Sequence, residues 1–503
     1  MFTQKILYVG NETEATDLMV SQLAVDNNTV NHGLIIDAAY IPDRPGYYHT
    51  TVVDLSAGEI AAMAKYFDLV SMLDQPKESY PHWKSFISTF RLMYDLSQSG
   101  FNVDYLDKGC NRDIAYWHQT LRENKSVCFY PFLGFIDNLG SNGICPKNLE
   151  FNSTKLAYEK DWANDPHFNS VREKMLKGEL NPVECGDCYN RESQGQESAR
   201  RFETLEWAVR MNFQSINDLA TNISPAYYEL RPSNKCNVMC RTCDNQHSHL
   251  IDKEWKTIGI QGLPYNNKSN TSFDKINFDS VKKIYVGGGE PTVISEFYDF
   301  LEECIRVGKT DFELVIGTNG MKFSDKILKL FDHFSDVCFS VSFDGYKKVN
   351  DYIRWGTEFD TVLANGRMLL DRGHKVGLQT VFSIYNATNM HEIFEFYDDK
   401  FPECSSLVQY GGFKDDIMDP YNHPNPELVI KSMERCTKTK VYYANGRSCK
   451  SMIDSMLLQY SKNYHCDIDK LRQFYEFNDK LDQSRGSRLI DYIPELAQGR
   501  SIV

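Results

Sequence analysis

From residue 226 onward the chain alternates between two periodicities with a regularity that few folds accommodate. Apolar runs of strand length stand at YYELR, KKIYVGGG, FELVIGT, VCFSVSFDG, VGLQTVFSIY and SSLVQYGGF. Between them lie runs of helical spacing, EFYDFLEECIRVG, SDKILKLFDHF, TVLANGRMLLDRG and MHEIFEFYDDKF, and the first connection also has helical stretches. Strands that alternate with helices build a parallel sheet with helices packed on it, which is an α/β fold. Six such units make an open, three-quarter barrel, and in barrels of this kind chemistry gathers at the C-terminal ends of the strands.

A chain of 503 residues is too long for one ordinary core, so more than one domain is expected. Residues 1–115 read as a separate α/β unit, with a role in substrate or partner recognition expected from its position. KILYVG, GLIIDAAY and TTVVDL have strand length, Ser56 and Glu59 form a capping box for the helix AGEIAAMAKYF, and Phe86, Phe90 and Met93 share one helical face. The YVGNETEAT turn lacks the fuller glycine pattern of a phosphate loop and reads as a plain turn. Residues 120–210 are rich in cysteine, proline and glycine and show little periodicity, so an internal metal would supply what their core lacks. Residues 225–415 hold the barrel pattern. The segment 424–503 (PELVIKSMERC, SCKSMIDSMLLQY, IDKLRQFYEFNDKL) reads as helical and is expected to close or flank it.

The chemistry-bearing residues in this pattern are first of all cysteines. Cys236, Cys240 and Cys243 stand in YYELRPSNKCNVMCRTCD, just past the first strand. Their spacing can present three thiolates to three irons of a cubic cluster and leave the fourth iron without a protein ligand. A zinc site is the alternative, with His247 or His249 as fourth ligand.

CNVMCRTC, YVGGGEPT, IGTNG and SVSFDG, in this order over roughly residues 225–415, resemble the motifs of radical S-adenosylmethionine (SAM) enzymes. The resemblance implies a partial (β/α)6 barrel. In it Cys236, Cys240 and Cys243 hold a [4Fe-4S] cluster, and SAM chelates the open iron. It also implies reductive cleavage of SAM to a 5′-deoxyadenosyl radical that takes a hydrogen atom from substrate. Gly288, Gly289 and Glu290, followed by Pro291, match the positions that bind the SAM amino group; a carboxylate suits an ammonium, and glycines let a ligand approach the backbone. Ser342 and Arg354 match a pair that holds the SAM carboxylate in several peptide-modifying members, both being donors. Asp344 ends the same strand, and Thr318 and Asn319 are expected beside the nucleotide. The bland alternative for Asp344 and Arg354 is a turn aspartate and a surface arginine. The chain departs from the family at Thr242, where an aromatic residue usually precedes the third cysteine. No residue outside this cofactor shell is assigned as catalytic.

A second set lies upstream. Cys128 begins CFYPFLGFIDNLGSNGICPKN, Cys145 closes it after a hairpin, and Cys185 and Cys188 lie in NPVECGDCYNRESQGQESAR. The arrangement resembles the twitch, or shortened SPASM, module, which implies an auxiliary [4Fe-4S] cluster saturated by four thiolates and serving to move electrons. Here the module precedes the barrel instead of following it. A structural zinc site remains the alternative. Of the other cysteines, Cys304 and Cys338 fall in apolar patterns and read as buried small residues, while Cys436, Cys449 and Cys466 could hold a further metal.

A net charge of −14 argues against general affinity for nucleic acid, which needs a surplus of Lys and Arg. No stretch reaches the length of a membrane span, and the apolar run in MFTQKILYVGNETEATD is short for a secretory signal. Clustered cysteines without such a signal point to metal ligation in a reducing, cytoplasmic compartment. The expected activity is that of a radical SAM enzyme on a peptide or protein side chain, reduced by a flavodoxin- or ferredoxin-type donor. The alternatives are radical chemistry on a small metabolite, such as a sugar or an amino acid, or a non-catalytic iron–sulfur or zinc scaffold.

Overall fold

A computed structural model describes residues 123–139, 141–146, 162–193, 198–263, 272–410, 417–439 and 466–501, the strands at 6–9, 69–73, 103–106 and 442–443, and single positions between 117 and 121 and between 453 and 464. Strands β1 (Ile6–Val9), β2 (Leu69–Leu73) and β3 (Val103–Leu106) form a small parallel sheet in that order. Of the N-terminal elements expected above, KILYVG is β1; GLIIDAAY, TTVVDL, AGEIAAMAKYF and the helical face of Phe86, Phe90 and Met93 lie outside the described residues. β2 had no counterpart in the pattern reading because it follows a helical pattern with no turn signal between them.

Among the described residues the main sheet has nine strands. β4 (Gly134–Asn138) and β5 (Ser141–Gly143) come from the cysteine-rich segment, followed by helices α1 (Pro166–Leu176), α2 (Pro182–Ser193) and α3 (Ala199–Met211). Then come β6 (Tyr227–Arg231), α4 (His249–Ile258), β7 (Lys283–Val286), α5 (Ser295–Arg306), β8 (Glu313–Thr318), α6 (Asp325–Phe331) and β9 (Asp336–Ser342). The chain continues through α7 (Lys348–Ile353), α8 (Phe359–Asp371), β10 (Lys375–Phe382), α9 (Met390–Lys400), β11 (Ser405–Tyr410), α10 (Pro426–Cys436), β12 (Tyr442–Tyr443) and α11 (Ile468–Arg485). Strands β6 to β12 lie side by side in chain order, and all neighbours are parallel except the β4–β5 hairpin. All six expected strands and the four expected helices between them are present, so the α/β partial barrel stands.

The sheet is wider than the six-strand pattern, because β4 pairs in parallel with β6 at one edge and β12 with β11 at the other. The residues of the cysteine-rich segment that form β4 are therefore strand partners of the barrel. Four of its five residues are buried, so it shows no polar–apolar alternation to read. Helices α1 to α3 were likewise unexpected, although Asp165 caps α1 by accepting from the His167 and Phe168 amides, and Pro166 sits in its first turn.

The two faces of the sheet differ in chemistry. Leu230, Ile284, Leu314, Phe339 and Leu378 point to the helix-covered face and are at most 1% exposed. Each such side chain contributes about 1.5–3 kcal/mol of burial free energy. Register places Glu229 opposite Tyr285, and Ser342 opposite Gln379, on the other face, which is half-buried and polar. That alternation holds the strands rigid from outside and leaves a polar interior facing the strand ends.

Candidate functional site

The loop after β6 carries the three cysteines and is pinned from two sides. The Met239 and Arg241 amides donate to the Trp355 and Ile353 carbonyls at 2.7 and 2.6 Å, and the His249 amide donates to the Asn234 carbonyl at 2.9 Å. The structure brings Cys236, Cys240 and Cys243 close enough for each thiolate to feel another. Burial pushes the Cys236 thiol up to about 12, with Cys240 adding to it, and raises Cys243 well above its ordinary value, with Asp244, Cys240 and Cys236 adding. Buried thiols that repel one another in this way stay protonated until a cation shares their charge, which is how a thiolate ligand set behaves without its metal. His247 Nδ1 lies 2.9 Å from Asp244, and His249 Nδ1 accepts the Cys236 amide at 3.2 Å. Among the described residues no three His, Cys, Asp or Glu side chains converge on one ion. A cubic cluster ligated at separate corners holds its thiolates apart, so the set fits a cluster better.

The glycines after β7 also make room for a neighbouring loop. Gly289 has φ +54°, and a Cβ there would stand 2.1 Å from the Lys235 carbonyl oxygen; a Cβ on Gly288, at φ +72°, would meet Arg231 at 2.6 Å. These positions let the strand-end loop pass against the cysteine loop, and the Glu290 amide seals the contact by donating to the Lys235 carbonyl at 2.7 Å.

Glu290 is buried at the junction of three strand ends. Its Oε1 accepts from the Thr292 and Thr318 hydroxyls, both at 2.8 Å, and its Oε2 accepts from the Asn319 amide at 2.6 Å. Burial raises its pKa, and these donors offset part of the rise. A carboxylate offers about four acceptor directions, so Oε2 retains capacity for one more donor such as an ammonium. Pro291 opens the short helical turn that follows. Asn319 also reaches the cysteine loop, donating to Asn237 at 2.7 Å.

Arg354 is no surface residue. Its Nη1 donates to Asp344 at 2.8 Å, both side chains are buried, and its Nε has no partner. Burial alone would lower its pKa, but the charges of Cys240 and Asp344 outweigh that and hold it above the usual value. Asp344 in turn accepts the Val381 amide at 2.7 Å, which fixes it against β10. An unpartnered buried guanidinium N–H beside two thiols suits an anionic group such as a carboxylate. Ser342 lies on the polar face at the end of β9, half-buried.

Residues 230–399 match the family model of the radical SAM superfamily. The chain carries a radical SAM domain. No curated protein matches the chain. Among solved structures, anSMEcpe with bound AdoMet is 16% identical at a TM-score of 0.33, covering 42% of this chain and 60% of that one. SuiB of Streptococcus suis bound to S-adenosylmethionine is 15% identical at 0.30, covering 65% of each chain, and TYW1 with a lysine-pyruvate adduct is 12% identical at 0.27, covering 42% and 73%. The match thus spans about 60% of the first of these chains, and likenesses at such scores carry nothing about substrate.

The second cysteine set lies beside the β4 edge of the radical SAM domain. Cys128 and Cys145 flank the hairpin segment, and Cys185 and Cys188 stand one turn apart on α2; all four line a cavity of about 290 Å³. Burial raises Cys128 well above its ordinary value, with Cys145 and Cys185 adding, and pushes Cys185 up to about 12. Four thiols of this kind can hold a zinc ion or an iron–sulfur cluster.

Cys304, Cys404 and Cys436 are buried in the core, and Cys449 lies outside the described residues. The sequence reading missed Asn237, Asn350 and Asn386, which hold the strand ends, because lone asparagines in loops carry no pattern. It also missed Arg241 and Glu254, which tie the cysteine loop and α4 to the C-terminal segment: Arg485 donates to Glu254 at 2.9 and 2.6 Å. Among the described residues no helix is long and apolar enough to cross a membrane.

Proposed function

We propose that this protein cleaves SAM reductively and uses the resulting radical to abstract hydrogen from a peptide or protein side chain. The observation that carries the reading is the meeting of Cys236, Cys240, Glu290 and Arg354 at the strand ends, where each thiol feels the carboxylate, the guanidinium or both. Bound at Cys236, Cys240 and Cys243, a [4Fe-4S] cluster would supply the electron that splits the SAM sulfonium. Glu290 receives the amino group of SAM, while Arg354 Nε and Ser342 donate to its carboxylate. Asp344 orients Arg354, Pro291 fixes the turn after Glu290, and Gly288 and Gly289 keep the two loops in contact. Thr318 and Asn319 flank the nucleotide and hold Glu290 in place.

The peptide reading rests on resemblance to modifying enzymes with a second cysteine site, for which Cys128, Cys145, Cys185 and Cys188 supply four ligands. That site holds an auxiliary [4Fe-4S] cluster, and a flavodoxin- or ferredoxin-type protein reduces the first. The deciding experiment is anaerobic reconstitution with iron and sulfide, followed by SAM and dithionite. Formation of 5′-deoxyadenosine is expected. An iron-free, zinc-loaded protein that makes none would overturn the proposal.

A further inference from the structure

The inward face of the sheet is not packed as a barrel core. Closed barrels of parallel strands are filled by layers of bulky branched side chains. Here register aligns Gly317 of β8 with Ser340 of β9, Ser340 with Gly377 of β10, and Gly377 with Ser405 of β11. That layer carries almost no side-chain volume, and its inward neighbours Val315, Cys338 and Gln379 stay partly exposed in the middle of the sheet. On the helix-covered face Leu314, Phe339 and Leu378 are at most 1% exposed. Ser340 precedes Ser342 by one inward position on β9, so the layer lies directly beneath the strand ends.

A glycine inside a strand marks a place that something else approaches closely. At two positions it is Tyr285. A Cβ on Gly287 would stand 2.8 Å from the Tyr285 ring, and one on Gly317 would stand 2.5 Å from its hydroxyl oxygen. The phenol therefore lies across the β7–β8 side of the layer, half-buried, and among the described residues its hydroxyl has no hydrogen-bond partner. At Gly377, in ordinary strand conformation, a Cβ would meet nothing closer than the Ser405 carbonyl oxygen at 3.7 Å, so this side of the layer is open.

The charges on this face cancel in pairs. Glu229 meets Arg231 at 2.6 Å, Lys283 meets Glu313 at 3.5 Å and Lys375 meets Asp336 at 2.8 Å, and no other acidic or basic side chain stands at an inward position of β6 to β11. At the strand ends Arg354 pairs with Asp344, and Glu290 is assigned above to the SAM amino group. A charged group entering the layer would give up its hydration and find no free opposite charge. A hydroxyl or an amide would find partners in the Tyr285 hydroxyl and in Gln379, whose Oε1 accepts from Ser340 at 3.0 Å and whose amide N–H groups remain to donate.

We propose that the layer of Gly317, Ser340, Gly377 and Ser405 receives the substrate residue from which hydrogen is taken, and that this residue is uncharged and polar, held by Tyr285 and Gln379. The inference rests on the SAM-cleavage reading and narrows the class of side chain it acts on.

The test needs no known substrate. The full chain with Gly377→Leu and the parent are both produced with side-chain-deuterated leucine, reconstituted anaerobically and given SAM and dithionite. Without substrate the 5′-deoxyadenosyl radical takes an atom from the nearest C–H or C–D bond; a C–D bond of the new leucine breaks, a C–D bond forms at the 5′ carbon, and the radical passes to the leucine. The monodeuterated fraction of 5′-deoxyadenosine is expected to rise several-fold over the labelled parent. Equal fractions overturn the proposal and leave SAM cleavage standing, whereas no 5′-deoxyadenosine from the parent overturns the SAM-cleavage reading itself. Should Gly377→Leu fail to hold iron, Ser340→Leu, in the same layer, decides by the same mass measurement. Gly377→Gln, Gly377→Glu and Gly377→Lys test the charge argument: the Glu and Lys variants should have lower denaturation midpoints than the Gln variant, and equal midpoints overturn the assignment of an uncharged residue.

Discussion

Arg241, set between Cys240 and Cys243, donates to the carboxylate of Asp482 at 2.7 Å, from a position 241 residues earlier in the chain. Its guanidinium also lies 3.7 Å from the Tyr352 ring centre and donates to Asn478 at 3.0 Å. Asp482 accepts from Tyr352, Ser487 and the Leu489 amide at 3.0, 2.8 and 2.7 Å, so one carboxylate organises the end of α11 and the cysteine loop together. Breaking such a buried pair from one side leaves a charge without compensation, at a cost of about 3–5 kcal/mol. Asp482→Ala is therefore expected to lower the denaturation midpoint and to lose iron from the first cluster before the second. A midpoint unchanged by the substitution would show that the clamp carries nothing.

The two proposed cluster sites separate by mutation. Cys240→Ala should remove about four irons and abolish 5′-deoxyadenosine formation, while the iron of the four-cysteine cavity stays. Iron analysis and product assay on the anaerobic protein check both halves of this expectation.

Replacing Cys185 and Cys188 together with Ala has the converse outcome. SAM cleavage persists at a reduced rate, and about four irons are lost. If total iron is the same as in the parent protein, the cavity holds no cluster.

Gly289→Ala tests the contact between the two loops. At φ +54° with a carbonyl oxygen 2.1 Å from the new Cβ, the backbone must shift, which costs more than the ~1 kcal/mol of ordinary left-handed strain. The displaced Glu290 should weaken SAM binding at least tenfold, measured by equilibrium dialysis on the reconstituted protein. Gly373→Ala, also at positive φ but with open space around it, is the control and should leave binding unchanged.

His423 is one source of acid sensitivity. His423 is fully buried, its Nδ1 accepts the Asn425 amide at 3.0 Å, and burial lowers its pKa from 6.5 to about 3. Between those values the unfolded chain binds a proton that the native state does not. Stability therefore falls as pH drops from 6.5 toward 3, by up to about 1.4 kcal/mol per pH unit from this group. Denaturant midpoints between pH 6.5 and 4.5 should fall less steeply in His423→Gln; equal slopes would remove His423 from the account.

The order of strands and helices from Tyr227 to Tyr410 follows from the sequence alone, because period-2 and period-3.6 burial are local properties and the β/α alternation permits few topologies. The cysteine spacing and the GGGEP turn at the end of β7 were legible for the same local reason. Tertiary structure decided what those residues face. Gly288 and Gly289 make room for a neighbouring loop, Glu290 gathers donors from two strand ends, and Arg354 is buried against Asp344 instead of lying at the surface. It also added β4 to the barrel edge and brought Asp482 to Arg241. Contacts between residues hundreds of positions apart depend on how the packed layers meet in space, and no window along the chain contains that information.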